Sequence, residues 1–384
     1  MAAETFAIDV PKDTLDDLHA RLEKTRWPDG VTGARWDYGT NREYLEDLIA
    51  YWRDGFDWRA QEAALNGFAH YRAEVGGFGV HFIHEPGEGP EPMPIVLTHG
   101  WPDSFWRMHK IIPMLADPAS HGGDPADSFS VVVPSLPGYG FSDKPDASGM
   151  DTARIAGLWH LLMTDVLGYT RFGAHGGDMG SAVTQDLALT YPDDLIGIHL
   201  TDLPFTNLMR SVPDEAGMAD EERDYFAKGQ QWNQEEGAYA ILQATKPQTL
   251  AYGLNYSPAG LASWIIEKFH TWSDCNGDIE SRFSKDELLT NITLYWVTET
   301  IGSSIRLYYE VGHADSPPDP TDRPDVPTAF AIFPKDIMPP PPTLAKRFFQ
   351  VQRWTRMPRG GHFAALEEPE LLVEDIRAFF RRFR

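Results

Sequence analysis

Apolar residues recur along this chain with two different periods. Near the N-terminus the spacing is helical: DTLDDLHARLEKTRW places Leu15, Leu18 and Leu22 on one stripe, with acids ahead of bases. NREYLEDLIAYWRDGFDW repeats the pattern, and Asn41 stands where a helix cap belongs. Residues 1–75 therefore read as helical and polar. The period then shortens. GVHFIH and PIVLTHG are strand-like runs separated by the turn-rich HEPGEGPEPMP. Apolar runs at 95–98, 129–134, 171–174 and 196–201 alternate with helical stretches at 104–115, 151–168 and 179–191. Such alternation predicts βαβ units and a mostly parallel sheet.

Residues 206–320 break the alternation; they are mostly helical in pattern and rich in acids and aromatics. DSPPDPTDRPDVP, at 315–327, reads as a proline-rich connector. TAFAIFP resumes as a strand, RFFQVQRWTRMP carries another, and PELLVEDIRAFFRRF closes as an amphipathic helix. The expected organisation is an N-terminal helical segment (1–75), a sheet domain in two parts (76–205 and 321–384), and a helical insertion between them (206–320).

Composition narrows the class. The 384 residues, 42% of them hydrophobic, can bury a large core. No segment approaches the ~20 apolar residues of a membrane helix. The start MAAETFAIDVPKDT lacks a basic-then-apolar signal, so a cytoplasmic location is expected. The lone Cys275 excludes an intrachain disulfide and a cysteine-based metal site. A net charge of −24 argues against nucleic acid and anionic membranes as partners, and leaves homo-oligomerisation open.

The chemistry concentrates in a few glycine-rich stretches. RFGAHGGDMGSAVTQDLAL reads as strand, sharp turn and helix, with Asp178 at the tip between Gly176 and Gly180. A carboxylate there is stabilised by free helix N–H groups, so it stays ionised and able to attack. The alternative is that Asp178 merely caps the helix. HGWPDSFWRMH follows a strand, and Gly100 permits a turn with inward-facing N–H groups. The backbone N–H groups of Trp101 and Met179 could then form an oxyanion hole, although an ordinary loop around a buried Trp would read the same way. His362, in RGGHFAALEEPE, is the histidine that follows the last strand. In the order nucleophile, acid, histidine it comes last, as required. Asp336, in AIFPKDI, is preferred as the orienting acid over Asp202, in HLTDLP.

An aspartate in place of serine changes the reaction. A carboxylate suits displacement at a saturated carbon with a strained or good leaving group, which points to an epoxide or an alkyl halide. The resulting alkyl ester is hydrolysed by water that a histidine deprotonates. At this point the chain resembles the microsomal-type epoxide hydrolases of the α/β-hydrolase superfamily. RLEKTRWPD, HGWP, GGDMGS, LLTNITLYW, FPKD and RGGHFAALEEPELL carry the likeness in family order, over nearly the whole length. The resemblance implies an α/β-hydrolase fold with a mostly parallel central sheet, a helical lid insertion and an N-terminal meander. It implies a cofactor-free epoxide hydrolase with Asp178 as nucleophile, His362 as base and Asp336 as acid. It also implies two lid tyrosines as donors, Tyr239 and Tyr308, with Tyr309 one residue from the second.

Two departures bear on this reading. The chain shows no N-terminal anchor of the kind mammalian relatives carry, which implies a soluble protein. Met179 stands where many dehalogenases have Trp, which weakens a haloalkane dehalogenase reading. A non-catalytic binding protein of the same fold would have no need of Asp178, Asp336 and His362 together. Trp232, Tyr252, Trp264, Phe269 and Trp272 in the insertion point to a bulky or aromatic epoxide. A role in natural-product metabolism is permitted by the resemblance, and no named residue establishes it.

Overall fold

The computed structural model describes residues 3–210, 217–314 and 322–384. Among these, nine strands form one sheet: β1 (Glu4–Thr5), β2 (His70–Val75), β3 (Phe78–Glu85), β4 (Met93–Thr98), β5 (Phe129–Pro134), β6 (Phe172–Gly176), β7 (Leu195–Leu200), β8 (Pro327–Ile332) and β9 (Gln350–Arg356). Their spatial order is β1-β2-β3-β5-β4-β6-β7-β8-β9. The pairs from β1 through β3 to β5 are antiparallel, and those from β5 onward are parallel. Every residue of β5 and β6 is buried, as expected of parallel strands covered on both faces. After β5 the chain crosses back over β4 to lay β6 on its other side. The strand order reverses there, and the crevice beyond the carboxyl ends of β4 and β6 is the natural place for a site.

The polar N-terminal segment holds more than helices. Helices Lys12–Glu23, Arg42–Asp54 and Trp58–Leu65 are joined by β1 and β2, which extend the sheet. In HYRAEV, buried His70, Ala73 and Val75 share the strand with exposed Arg72 and Glu74. Its solvent-facing charges hide the strand in a reading that looks for apolar runs. Asn41 does cap its helix, accepting from the Tyr44 N–H at 2.8 Å.

The helix expected over 104–115 is divided into a 3-10 turn, Phe105–Met108, and a short helix, Ile111–Ala116. Pro113 has no N–H to give to the His109 carbonyl, so helical bonding cannot run back through His109 and Lys110, and the proline sits in the first turn of the second helix, where no N–H is needed. Most of the proline-rich connector expected at 315–327 lies outside the described residues.

Helices from Phe205–Arg210 to Ile301–Gly312 cover the carboxyl edge of the sheet. The N-terminal helices brace this lid from the side. Tyr51 donates to Asp286 at 2.9 Å, Thr40 to the Ser263 carbonyl at 2.6 Å, and Arg21 to the Tyr256 carbonyl at 2.8 Å. No helix among the described residues is long and apolar enough to cross a membrane.

Candidate active site

The turn after β6 carries Asp178 with φ 58° and ψ −128°, a left-handed backbone that costs on the order of 1–3 kcal/mol for a non-glycine residue. Close packing maintains it. A Cβ added to Gly180 would lie 2.1 Å from the Thr98 carbonyl oxygen, and one on Gly100 would lie 2.3 Å from Asp178 Oδ1. Glycine at both positions lets the helix Met179–Thr190 and the loop after β4 close on the turn. Asp178 occupies the helix cap position, yet its side chain makes no capping bond. Instead, the Trp101 N–H donates to Oδ1 at 2.8 Å. Met179 opens the helix, so its N–H has no acceptor within the helix.

Each neighbouring strand end adds a group. His362 follows β9 and is buried, with Nδ1 2.7 Å from Asp336 Oδ1 beyond β8. Its Nε2 faces Asp178 Oδ2 at 3.5 Å. Burial alone would lower the His362 pKa; the charge of Asp336, its hydrogen bond to Nδ1 and the Asp178 carboxylate facing Nε2 outweigh it and push it up to about 10. Asp202, beyond β7, accepts the backbone N–H of Asp178 at 2.6 Å and so holds the turn rather than the imidazole. Burial, reinforced by the charge of Asp336, raises its pKa to about 7.

The lid supplies the tyrosines. Tyr239 and Tyr308 are both buried, and their pKa values are raised, first by burial, with the charge of Asp178 contributing to each. Both stay protonated and able to donate. Tyr239 stacks on Trp101 (centroids 5.6 Å apart, 12° between planes) and lies 6.1 Å from the Tyr308 ring. Tyr309 is exposed and stacks on His313, away from this cluster. Of the five lid aromatics singled out from the sequence, Trp232 and Trp272 lie against Tyr239 at 6.3 and 5.2 Å. Tyr252 points to solvent, and Phe269 stacks on Phe363.

Sequence reading passed over one supporting pair. Arg107 and Asp103 are fully buried and joined at 2.5 Å. Asp103 also accepts the Gly100 N–H at 3.0 Å, and Arg107 donates to the His362 carbonyl at 2.5 Å. The pair thus ties the Trp101 loop to the His362 loop. Its signal was present in WPDSFWR as an acid and a base four positions apart. His99 and His175 serve packing: His99 Nε2 accepts the Leu136 N–H at 3.2 Å, and His175 faces His199 at 3.0 Å.

A sharp turn carrying a carboxylate after β6, with an acid beyond β8 and a histidine beyond β9, fits the architecture of the α/β hydrolases. Comparison with known proteins supports this and goes further. A family model for the alpha/beta hydrolase fold matches residues 93–260, and one described as "Epoxide hydrolase N terminus" matches residues 3–108. A protein of Stigmatella aurantiaca (strain DW4/3-1) named "Putative epoxide hydrolase" is 43% identical, covering 99% of this chain and 85% of its own. Epoxide hydrolase 1 of Sus scrofa is 38% identical, covering 97% and 87%. The structure of Aspergillus niger epoxide hydrolase superposes with a TM-score of 0.86 at 29% identity, covering 100% of this chain and 97% of that one. The chain belongs to the epoxide hydrolase family. The leading expectation, an epoxide hydrolase, therefore stands over the alkyl-halide and binding-only alternatives.

Proposed function

We propose that this protein converts an epoxide to a vicinal diol through a covalent ester on Asp178. The observation that carries this reading is the free Asp178 carboxylate. One oxygen is held by the Trp101 N–H, and the other faces the site instead of capping the helix. Oδ2 attacks an epoxide carbon, the C–O bond breaks, and Tyr239 and Tyr308 donate to the departing oxygen. Oδ1 becomes the ester carbonyl, already beside the Trp101 N–H, with the Met179 N–H as second donor for the tetrahedral species.

The proton balance closes through His362. Before attack, the carboxylate keeps the imidazole charged. Ester formation removes that negative charge, and the imidazolium loses its proton as the opened oxygen gains one. The neutral imidazole, oriented by Asp336, then deprotonates the hydrolytic water. Trp232 and Trp272 beside Tyr239 support a bulky or aromatic epoxide as substrate.

Single-turnover reaction in heavy-oxygen water tests the covalent step. The first diol should contain no solvent oxygen, and the label should appear in Asp178. Solvent label in the first diol would replace covalent attack with direct hydration.

A further inference from the structure

The lid helix Pro258–Trp272 presents a buried stripe of Leu261, Ile265, Lys268 and Trp272, at spacings of four, three and four. One of the four is a lysine, and it is 5% exposed. Burying an ammonium costs free energy unless something pairs with it. Its ionic partner is Glu267, next to it on the same helix. The Lys268 nitrogen sits 4.7 Å from the centre of the Tyr239 ring, and 5.8 Å from the rings of Trp264 and Trp272. These distances lie within the reach of cation–π attraction.

We propose that Lys268 is a positioning residue for Tyr239, acting on the epoxide-opening step through the face of its ring. The inference rests on the reading of Tyr239 as an oxygen donor. When the epoxide C–O bond breaks, the leaving oxygen carries negative charge and draws on the Tyr239 hydroxyl proton. Electron density on the phenol oxygen and ring rises accordingly. A cation over the ring face attracts that richer ring more strongly than the resting phenol. The contact therefore grows from ground state to transition state, the condition for an interaction to raise a rate. The same ammonium, with Trp101 stacked on the ring, fixes where the hydroxyl points. Ester hydrolysis does not use the phenol as a donor, so Lys268 bears on the first half-reaction and not the second.

The test is a double-mutant cycle on single-turnover rates, using the full-length protein and a chromogenic aromatic epoxide such as a nitrostyrene oxide. Lys268→Met keeps the length of the side chain and removes the charge; Lys268→Gln is a second neutral replacement in case the first fails to fold. Ester formation should slow on the order of 10-fold in the Lys268→Met protein, while hydrolysis of the accumulated ester is unchanged. Lys268→Arg should restore most of the rate. In a Tyr239→Phe background, Lys268→Met should cost less than about 2-fold, because the group it acts through is gone. An equal loss in both backgrounds, no loss in either, or a loss confined to ester hydrolysis overturns the proposal. Tyr239→Phe alone separates the two levels. If that change leaves ester formation at full rate, the donor reading itself fails and the role of Lys268 falls with it.

Discussion

Asp178→Asn isolates the charge coupling between Asp178 and His362, because it keeps the side-chain shape and removes the charge. His362 Nε2 lies 3.5 Å from Asp178 Oδ2. Opposite charges at that distance attract by roughly 5 kcal/mol at an effective dielectric of about 20, equivalent to about 3.5 pKa units. That is a ceiling, because Asp336 keeps its own hold on the ring from the Nδ1 side, at 2.7 Å. The His362 pKa, raised to about 10 in the intact protein, should therefore fall by between about 1 and 3 units in Asp178→Asn. The assay is NMR titration of ring-labelled histidine, with His362→Gln used to assign the signal. A fall under about 0.5 unit would refute the coupling, and with it the idea that ester formation releases the base. Stability carries the same signature. The folded pKa lies above the ordinary 6.5, so the stabilisation is fully present below that pH and is lost as pH rises towards about 10. Denaturant unfolding of the wild type should weaken across this window, and the Asn variant should show a shallower decline.

Three further outcomes are expected. His362→Gln should form the ester and fail to hydrolyse it, so that intact mass shows substrate bound to Asp178; a variant that turns over normally removes His362 as the base. Asp336→Asn should slow turnover by something between 10²- and 10⁴-fold, more than Asp202→Asn, whose amide oxygen can still accept the Asp178 N–H; the reverse ranking would transfer the orienting role to Asp202. Tyr239→Phe and Tyr308→Phe should each lower the ester-forming rate on the order of 10²-fold or less, and the pair together should nearly abolish it; wild-type rates in the double variant would remove both donors.

Local pattern made much of this protein legible. The strands at 95–98 and 129–134 are apolar runs because both faces of a parallel strand are covered, and burial of that kind writes itself into every residue. The turn around Asp178 was legible because the close approach of loop and helix tolerates only glycine at Gly180. Chain order alone put a histidine after the final strand.

Other features depend on contacts between distant residues, to which no local period corresponds. β2 was hidden because charged Arg72 and Glu74 face solvent within it, and its place in the sheet comes from pairing with β1 and β3. The choice between Asp336 and Asp202 could not be closed by spacing. Both follow strand ends, and only the packed sheet shows one on the imidazole and the other on the Asp178 N–H. Tyr308 and Tyr309 are neighbours in sequence, and the rotation of their helix sends one into the cluster and the other to solvent. Asp178 itself is the plainest case. The sequence permits a carboxylate that caps the helix or one that does not, and the difference is a side-chain direction, decided when the loop after β4 brings the Trp101 N–H within 2.8 Å of Asp178 Oδ1.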